Sequence, residues 1–132
     1  MSRKNERLLG RCIPHWLRMR DDPNCKERPA PRFCHLCEEY VDRNPSGPRC
    51  RGCPIWAVTG VDSCFKTPYV AASNAYWDWL DARKACAKGD VGPAWPDEKW
   101  REWRRTATVE LQFLRKVLAA EKRKTAKRKA KP

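Results

Sequence analysis

The sequence predicts a small α-rich domain in which an irregular cysteine-rich segment packs on two main helices and a basic disordered tail follows. Three observations lead to this fold class. Two short cysteine pairs lie among proline- and glycine-rich loop residues, two later stretches repeat apolar residues at helical spacing, and the last twelve residues are mostly Lys and Arg. At 132 residues the chain has the size of a single domain.

The cysteine spacing predicts a metal centre. Two C-x2-C turns are separated by twelve residues, and a fifth cysteine follows them. Each turn can present two thiolates to one ion, so two turns complete a tetrahedral Cys₄ set that favours zinc, with iron as the rival. Such a set leaves no open position for water and is therefore structural, a zinc knuckle that stabilises the fold. Four of five residues are expected to bind Zn²⁺: Cys34, Cys37, Cys50, Cys53 and Cys64.

The N-terminus lacks the apolar stretch of a signal peptide, and the longest apolar run, residues 55–58, is too short to cross a membrane. We therefore expect a cytoplasmic protein with no membrane partner. In a reducing compartment, paired C-x2-C turns are metal ligands rather than disulfides. The alternative is a secreted scaffold in which the eight cysteines form disulfides.

Two amphipathic helices follow the cysteine segment. Thr67-Pro68 is a helix start, and an apolar face continues to about Cys86 through Tyr69, Ala72, Tyr76, Trp79, Leu80 and Arg83. The next helix starts at Pro96, with two acids in its first turn. It is predicted to end near residue 120 after about six turns, with a stripe formed by Trp100, Trp103, Ala107, Leu111, Leu114 and Leu118.

Most of the positive charge lies at the two ends of the chain. The formal net charge is +5 over residues 1–33, +2 over residues 34–120 and +6 over residues 121–132. These ranges are interpreted as a basic N-terminal extension, the zinc-knuckle and helical module, and a basic tail without an apolar face. An apolar stretch in the extension fits a short helix that Pro14 ends or bends.

A second metal site is an alternative for the remaining ligands. Cys12-Ile-Pro-His15 has the spacing of a knuckle, and Cys25, His35 and Cys86 are unassigned. The other interpretation makes the three cysteines ordinary buried residues and His15 a surface side chain.

An ordered set of motifs carries a resemblance over about residues 34–118. The set is Cys34-x-x-Cys37, Cys50-Arg-Gly-Cys53-Pro54-Ile55, Thr59-Gly60, Cys64-x-x-Thr67-Pro68-Tyr69 and Glu110-x-x-Phe113-Leu114. It resembles a group of small cysteine-rich, zinc-knuckle-like bacteriophage proteins. The resemblance implies a phage protein in the cytoplasm of a bacterial host, with a zinc knuckle followed by helices. It implies no catalytic residue, and both basic ends lie outside the shared pattern.

Nucleic-acid binding of low sequence specificity is the leading functional hypothesis. Seven basic residues of the tail can contact phosphates, and three arginines extend them along the last helix. These residues are Lys122, Arg123, Lys124, Lys127, Arg128, Lys129 and Lys131, with Arg101, Arg104 and Arg105. Two other interpretations stay open: the tail is only a solubilising terminus, and Trp100 and Trp103 pack in the core rather than stack on bases.

The second hypothesis is an anti-defence or host-interaction protein that binds an acidic surface of a bacterial protein or captures an anionic nucleotide signal. An enzyme is the class that the sequence supports least. Only two histidines are present, and there is no HExxH motif, histidine cluster or glycine-rich phosphate loop.

Overall fold

The computed structural model describes residues 2–29, 34–42, 52–60, 67–87 and 96–130, and all regular elements in these ranges are helical. Helix α1 is Ser2–Asp21, α2 is the single turn His35–Cys37, α3 is Pro54–Thr59, α4 is Tyr69–Ala87 and α5 is Asp97–Ala130. A π-helical segment, Glu38–Asp42, continues α2. The predicted α-rich class is confirmed. None of the helices in these ranges is both long and apolar enough to span a membrane.

The long helix α5 forms the centre of the fold, with α1 and α4 packed on it. Trp103 is fully buried at this junction. Its ring centroid lies 5.9 Å from that of Trp16 on α1 and 5.1 Å from that of Tyr76 on α4. Its indole Nε1 donates a hydrogen bond of 3.2 Å to the carbonyl oxygen of Met19. One tryptophan therefore joins all three long helices, which identifies core packing as its role.

The two predicted amphipathic helices are present as α4 and α5. Thr67 Oγ1 accepts a hydrogen bond of 3.2 Å from the amide of Tyr69, as expected of a side chain that caps the first turn. Helix α5 starts at Asp97, where Trp100 N bonds Pro96 O at 3.0 Å. Their predicted apolar stripes are buried or half-buried, with the buried members Ala72, Tyr76, Trp79, Trp103, Ala107, Leu111 and Leu114.

The prediction of only two main helices is wrong, because the N-terminal extension supplies a third. Helix α1 runs through Pro14 instead of ending there. Pro14 and Gly10, whose carbonyl loses its helical partner, both lie on the exposed side of α1, where water can satisfy that carbonyl. The opposite side buries Leu9, Trp16 and Met19. Tertiary burial therefore outweighs the loss of one helical hydrogen bond.

The expected disordered tail is also wrong for residues 121–130, which continue α5 as helix to Ala130. Glu121 is only 3% exposed and lines a cleft with Asn5 and Cys53, so this part of the chain is packed against the module. Ala, Lys and Arg are strong helix formers and extend a helix that packing has already nucleated.

Among the described residues, the backbone has a positive φ angle at two positions that are occupied by glycine. Gly60 ends α3 at φ 74°, and its amide bonds the carbonyl of Trp56 at 2.7 Å. Gly52 has φ 87°, and a Cβ at this position would lie 3.1 Å from the ring of Tyr40. The hydroxyl of Tyr40 in turn donates a hydrogen bond to the side-chain oxygen of Asn5, which connects α1 to the cysteine segment.

Candidate functional site

Three thiols lie at the contact between α1 and the first C-x2-C turn. The sulfur of Cys34 is in hydrogen-bonding contact with those of Cys12 and Cys37, and it also accepts from the amides of Leu36 and Cys37. The pKa of Cys34 lies well below the usual value for a thiol, chiefly because of the contact with Cys12 and then because of the contacts with Cys37 and these amides. The contact with Cys34 in turn raises the pKa of Cys12. Cys34 is therefore the thiol of this group that most readily carries a negative charge.

Sequence reasoning missed the position of Cys12. Its interpretation as a buried residue is confirmed, since it is 2% exposed, but its place directly against Cys34 was not predicted. The signal was its burial on the apolar stripe of α1, four residues before Trp16. Contacts between cysteines of different elements cannot be read from spacing along the chain.

The structure does not bring the described cysteines into one metal-holding group. Within the described ranges, no three Cys, His, Asp or Glu side chains are arranged to hold an ion. Cys53 lies at the start of α3 and lines a different cleft, with Asn5 and Glu121. Cys50 and Cys64 lie outside the described residues. The Cys₄ zinc site therefore stays a prediction.

The carboxyl group of Glu110 is buried beside this thiol group. Its side chain is 3% exposed, and its Oε2 has no hydrogen-bond partner among the described residues. Burial, with a smaller effect of the charge of Cys34, raises its pKa to about 8. Glu110 belongs to the phage-like motif, but a glutamate on the apolar stripe of a helix could not be recognised from its type.

His15 is a structural side chain rather than a surface one, so that interpretation is wrong. It is 2% exposed, and its Nδ1 lies 2.8 Å from Oε1 of Glu27. Burial lowers the pKa of His15 although Glu27 acts in the opposite direction. The two bonds from Arg18, at 2.5 and 2.8 Å, lower the pKa of Glu27 to about 2. The three side chains fasten the segment after α1 back onto that helix.

The arginines predicted on the last helix lie on its exposed side. Arg104 is 3.2 Å from Asp21 at the end of α1, and Arg105 is 2.6 Å from Glu102 on α5 itself. Arg101 is exposed. Both ion pairs are solvent-exposed and therefore worth little, so these arginines can exchange their partners for phosphates at small cost.

The tail residues continue this exposed side. Lys122, Arg123 and Lys127 project on the same arc of α5 as the three arginines, because 3.6 residues complete a turn. Lys124 and Arg128 are exposed but line the cleft beside Glu121. Lys129 lies in the helix, and Lys131 lies outside the described residues.

Arg115 and Lys116 lie between the arginines near the start of α5 and the cations of its last turns, and they join these two clusters into one surface. We call it the α5 basic face. It covers an arc of about 140° and about 40 Å of helix length. Its members are Arg101, Arg104, Arg105, Arg115, Lys116, Lys122, Arg123 and Lys127.

The acids of α5 beyond Glu102 do not reach this surface. Glu110 and Glu121 are each 3% exposed, on the opposite side of the helix. Between residues 103 and 128, every exposed charged side chain of α5 is therefore positive. Trp100 and Trp103 pack against α4 and α1, so this face offers cations without an aromatic stacking platform.

A second cleft lies between the segment that follows α1 and helix α4. It has a volume of about 460 Å³, and Lys26, Arg28 and Arg83 line it together with Tyr76 and Leu80. The guanidinium of Arg83 donates hydrogen bonds to Pro23 O and to Asn24 Oδ1, the latter at 2.7 Å. Three cations and no acidic side chain face this space, which favours an anionic occupant.

Comparisons with known proteins add no family assignment. Neither the protein-family models, nor the curated proteins, nor the solved structures contain a match to this chain. The resemblance to bacteriophage proteins therefore stays a prediction from the motifs.

Proposed function

We propose that this chain binds double-stranded nucleic acid, with little sequence preference, through the α5 basic face. The observation that carries the proposal is the burial of Glu110 and Glu121. Because both acids point into the protein, the charged side chains exposed on α5 are all cations over most of its length. Such a surface contacts phosphates, which confer affinity but carry no sequence information.

The shape of the face supports a duplex rather than a single strand as the partner. A straight helix of about 40 Å can follow the phosphates along one side of a duplex. Single-strand binding usually needs exposed aromatic side chains. The tryptophans of α5 are packed against Trp79 and Trp16 instead.

The number of contacts sets the expected salt dependence. The cations of the face point in different directions over its arc, so we expect four or five of them to meet phosphates together. The logarithm of the affinity for duplex DNA should then fall with the logarithm of salt concentration at a slope of about −4. Fluorescence anisotropy across a salt series, with a labelled duplex and a labelled single strand of equal length, measures the slope and the affinity for each partner.

Two results of this titration would refute the proposal. Absence of duplex binding even at low salt removes nucleic acid as the partner and favours a bacterial host protein with an acidic surface. Tighter binding of the single strand than of the duplex contradicts the assignment of the partner.

We also propose that zinc is bound by four of Cys34, Cys37, Cys50, Cys53 and Cys64, as in the phage proteins that the chain resembles. The support is the spacing of the two C-x2-C turns and the amide hydrogen bonds that favour the thiolate of Cys34. On this view the chain is a phage-encoded accessory protein that acts in the host cytoplasm.

The zinc proposal predicts about one zinc per chain in protein prepared under reducing conditions, and loss of helicity after chelation. Replacing Cys37 with Ser should abolish most of the zinc content. Cys25→Ser is the matched control, because Cys25 belongs to neither C-x2-C turn and its thiol lies beside Glu27. Absence of zinc and iron from the unaltered protein, by elemental analysis, would rule the site out.

A second candidate function is capture of an anionic nucleotide, and the cleft beside Arg83 favours it. The three cations could hold a phosphate group while Tyr76 and Leu80 contact the base. The same titration with a nucleoside monophosphate in place of the duplex distinguishes the two functions, since the cleft and the α5 basic face share no residue.

A further inference from the structure

We propose that one molecule bridges two duplex segments, one on the α5 basic face and the other on a row of arginines on α1. This inference rests on the proposed duplex binding. It adds a second surface and therefore a different kind of activity, the joining of separate nucleic-acid segments.

The second surface is the α1 arginine row, which consists of Arg3, Arg7 and Arg11. These residues are four apart, so they lie on one side of α1 at intervals of about 6 Å. All three are exposed, and none takes part in an ion pair within the described ranges. By contrast, Lys4 is paired with Glu39 and Arg18 with Glu27. Among the described residues, the row is thus the part of α1 whose cations have no acidic partner and can meet an external anion.

The row and the α5 basic face point away from each other. The side of α1 opposite the row buries Leu9, Cys12 and Trp16 in the core shared with α5. The two helices are antiparallel: Met19 contacts Trp103 at one end, and at the other end Asn5 lines a cleft with Glu121. Because each helix buries the side that faces its partner, the exposed sides lie on opposite surfaces of the molecule.

The separation of the two surfaces allows simultaneous occupation. Packed helices lie 8–10 Å apart, and each adds about 5 Å of side chain on its outer side, so the surfaces are about 20 Å apart. Charges that far apart are screened at about 0.1 M salt, where the Debye length is about 10 Å. A duplex on one surface therefore repels a duplex on the other only weakly.

Glu6 is the one acid of α1 before Asp21, and it does not interrupt the row. It is half-buried, lies about 100° around the helix from Arg7 and about 60° from Arg3, and forms no ion pair with either among the described residues. Three arginines give fewer contacts than the eight cations of the α5 basic face. The row should thus contribute little to the first binding event, and its effect should show when a second duplex is captured.

A capture assay tests this inference. One duplex is immobilised on beads, protein is added at about 50 mM salt, and a labelled second duplex of the same sequence is applied. The unaltered protein should retain the second duplex. The variant Arg7→Glu/Arg11→Glu should retain about tenfold less or lower, while its affinity for one duplex in solution changes by no more than about threefold.

The control is Lys84→Glu/Lys99→Glu, which changes the net charge equally at exposed positions outside both surfaces. It should capture the second duplex normally. Arg7→Gln/Arg11→Gln provides a second variant should the reversal reduce helicity, and circular dichroism verifies the fold of each.

The outcomes separate the inference from the proposed function. Undiminished capture by the Arg7→Glu/Arg11→Glu variant would overturn the inference and point to bridging by self-association. Binding of one duplex without capture of a second would overturn it and leave the proposed function intact. Absence of any duplex binding would remove both.

Discussion

Replacing Glu110 with Gln is expected to stabilise the fold at pH 8 and to change it little at pH 5. The folded state holds the pKa of Glu110 at about 8, whereas in an unfolded chain this carboxyl group has its ordinary pKa of 4.5. Between these two values, the folded state keeps a proton that the unfolded state has lost. The unfolded state therefore binds fewer protons, and the free energy of unfolding falls as pH rises through this window.

The size of the effect follows from the pKa shift. Each unit corresponds to 1.36 kcal/mol, so the cost of Glu110 grows to at most about 5 kcal/mol by pH 8. Water entry on ionisation reduces this value, and we expect about 2–3 kcal/mol. Gln has nearly the same shape and does not ionise, so the variant should lack this part of the pH dependence. Chemical denaturation of both proteins at pH 5, 6, 7 and 8, under reducing conditions, gives the difference at each pH.

Glu121→Gln is the matched control for this comparison. Glu121 is on the same helix and equally buried, but its Oε1 lies 3.5 Å from Nζ of Lys124. Its comparison with Glu110→Gln separates an effect of Glu110 itself from a general effect of replacing a buried carboxyl group on α5. A stability difference between Glu110→Gln and the unaltered protein that stays constant from pH 5 to pH 8 would contradict the raised pKa of this buried carboxyl group.

The contacts around the cysteines could not be predicted from the sequence, whereas the helix starts and stripes could. The start of α4 at Thr67-Pro68 and the stripe of α5 were predictable, because capping and apolar periodicity are local properties. The contact between Cys12 and Cys34 joins residues 22 positions apart in the sequence. It depends on how α1 packs, which the residue spacing does not encode.

Helix α1 and the end of α5 were mispredicted for a related reason. Pro14 is a sound helix-breaking signal, but the burial of Trp16 and Met19 on the other side of α1 outweighs it. Residues 121–130 have no apolar stripe, yet Glu121 is packed beside Asn5 and the helix continues. Because residues 121–130 were expected to be disordered, the α5 basic face was not predicted, since a disordered tail and a helix cannot form one surface.

The second large effect is expected from reversing charge on the α5 basic face. Lys122→Glu/Arg123→Glu/Lys127→Glu should weaken duplex binding by about a thousandfold at 0.1 M salt. Each reversal removes one phosphate contact and adds one repulsion, which we take as about 1.4 kcal/mol per position. The three side chains are exposed, and Glu is a good helix former, so the fold should persist.

A control of equal charge separates the face from the net charge of the protein. Lys26→Glu/Lys84→Glu/Lys99→Glu also lowers the net charge from +13 to +7, at exposed positions outside the α5 basic face. It should weaken binding by less than about tenfold through long-range attraction alone. Equal losses in the two variants would mean that net charge, rather than this surface, determines binding.

The most direct test of duplex binding by the α5 basic face is the salt dependence of affinity for one duplex, measured for the unaltered protein and the Lys122→Glu/Arg123→Glu/Lys127→Glu variant. Anisotropy titrations between 50 and 300 mM salt count the phosphate contacts in each. We expect a slope of about −4 for the unaltered protein and between about −1 and −2 for the variant. An identical slope for both proteins would contradict this expectation, because the phosphates would then be contacted elsewhere.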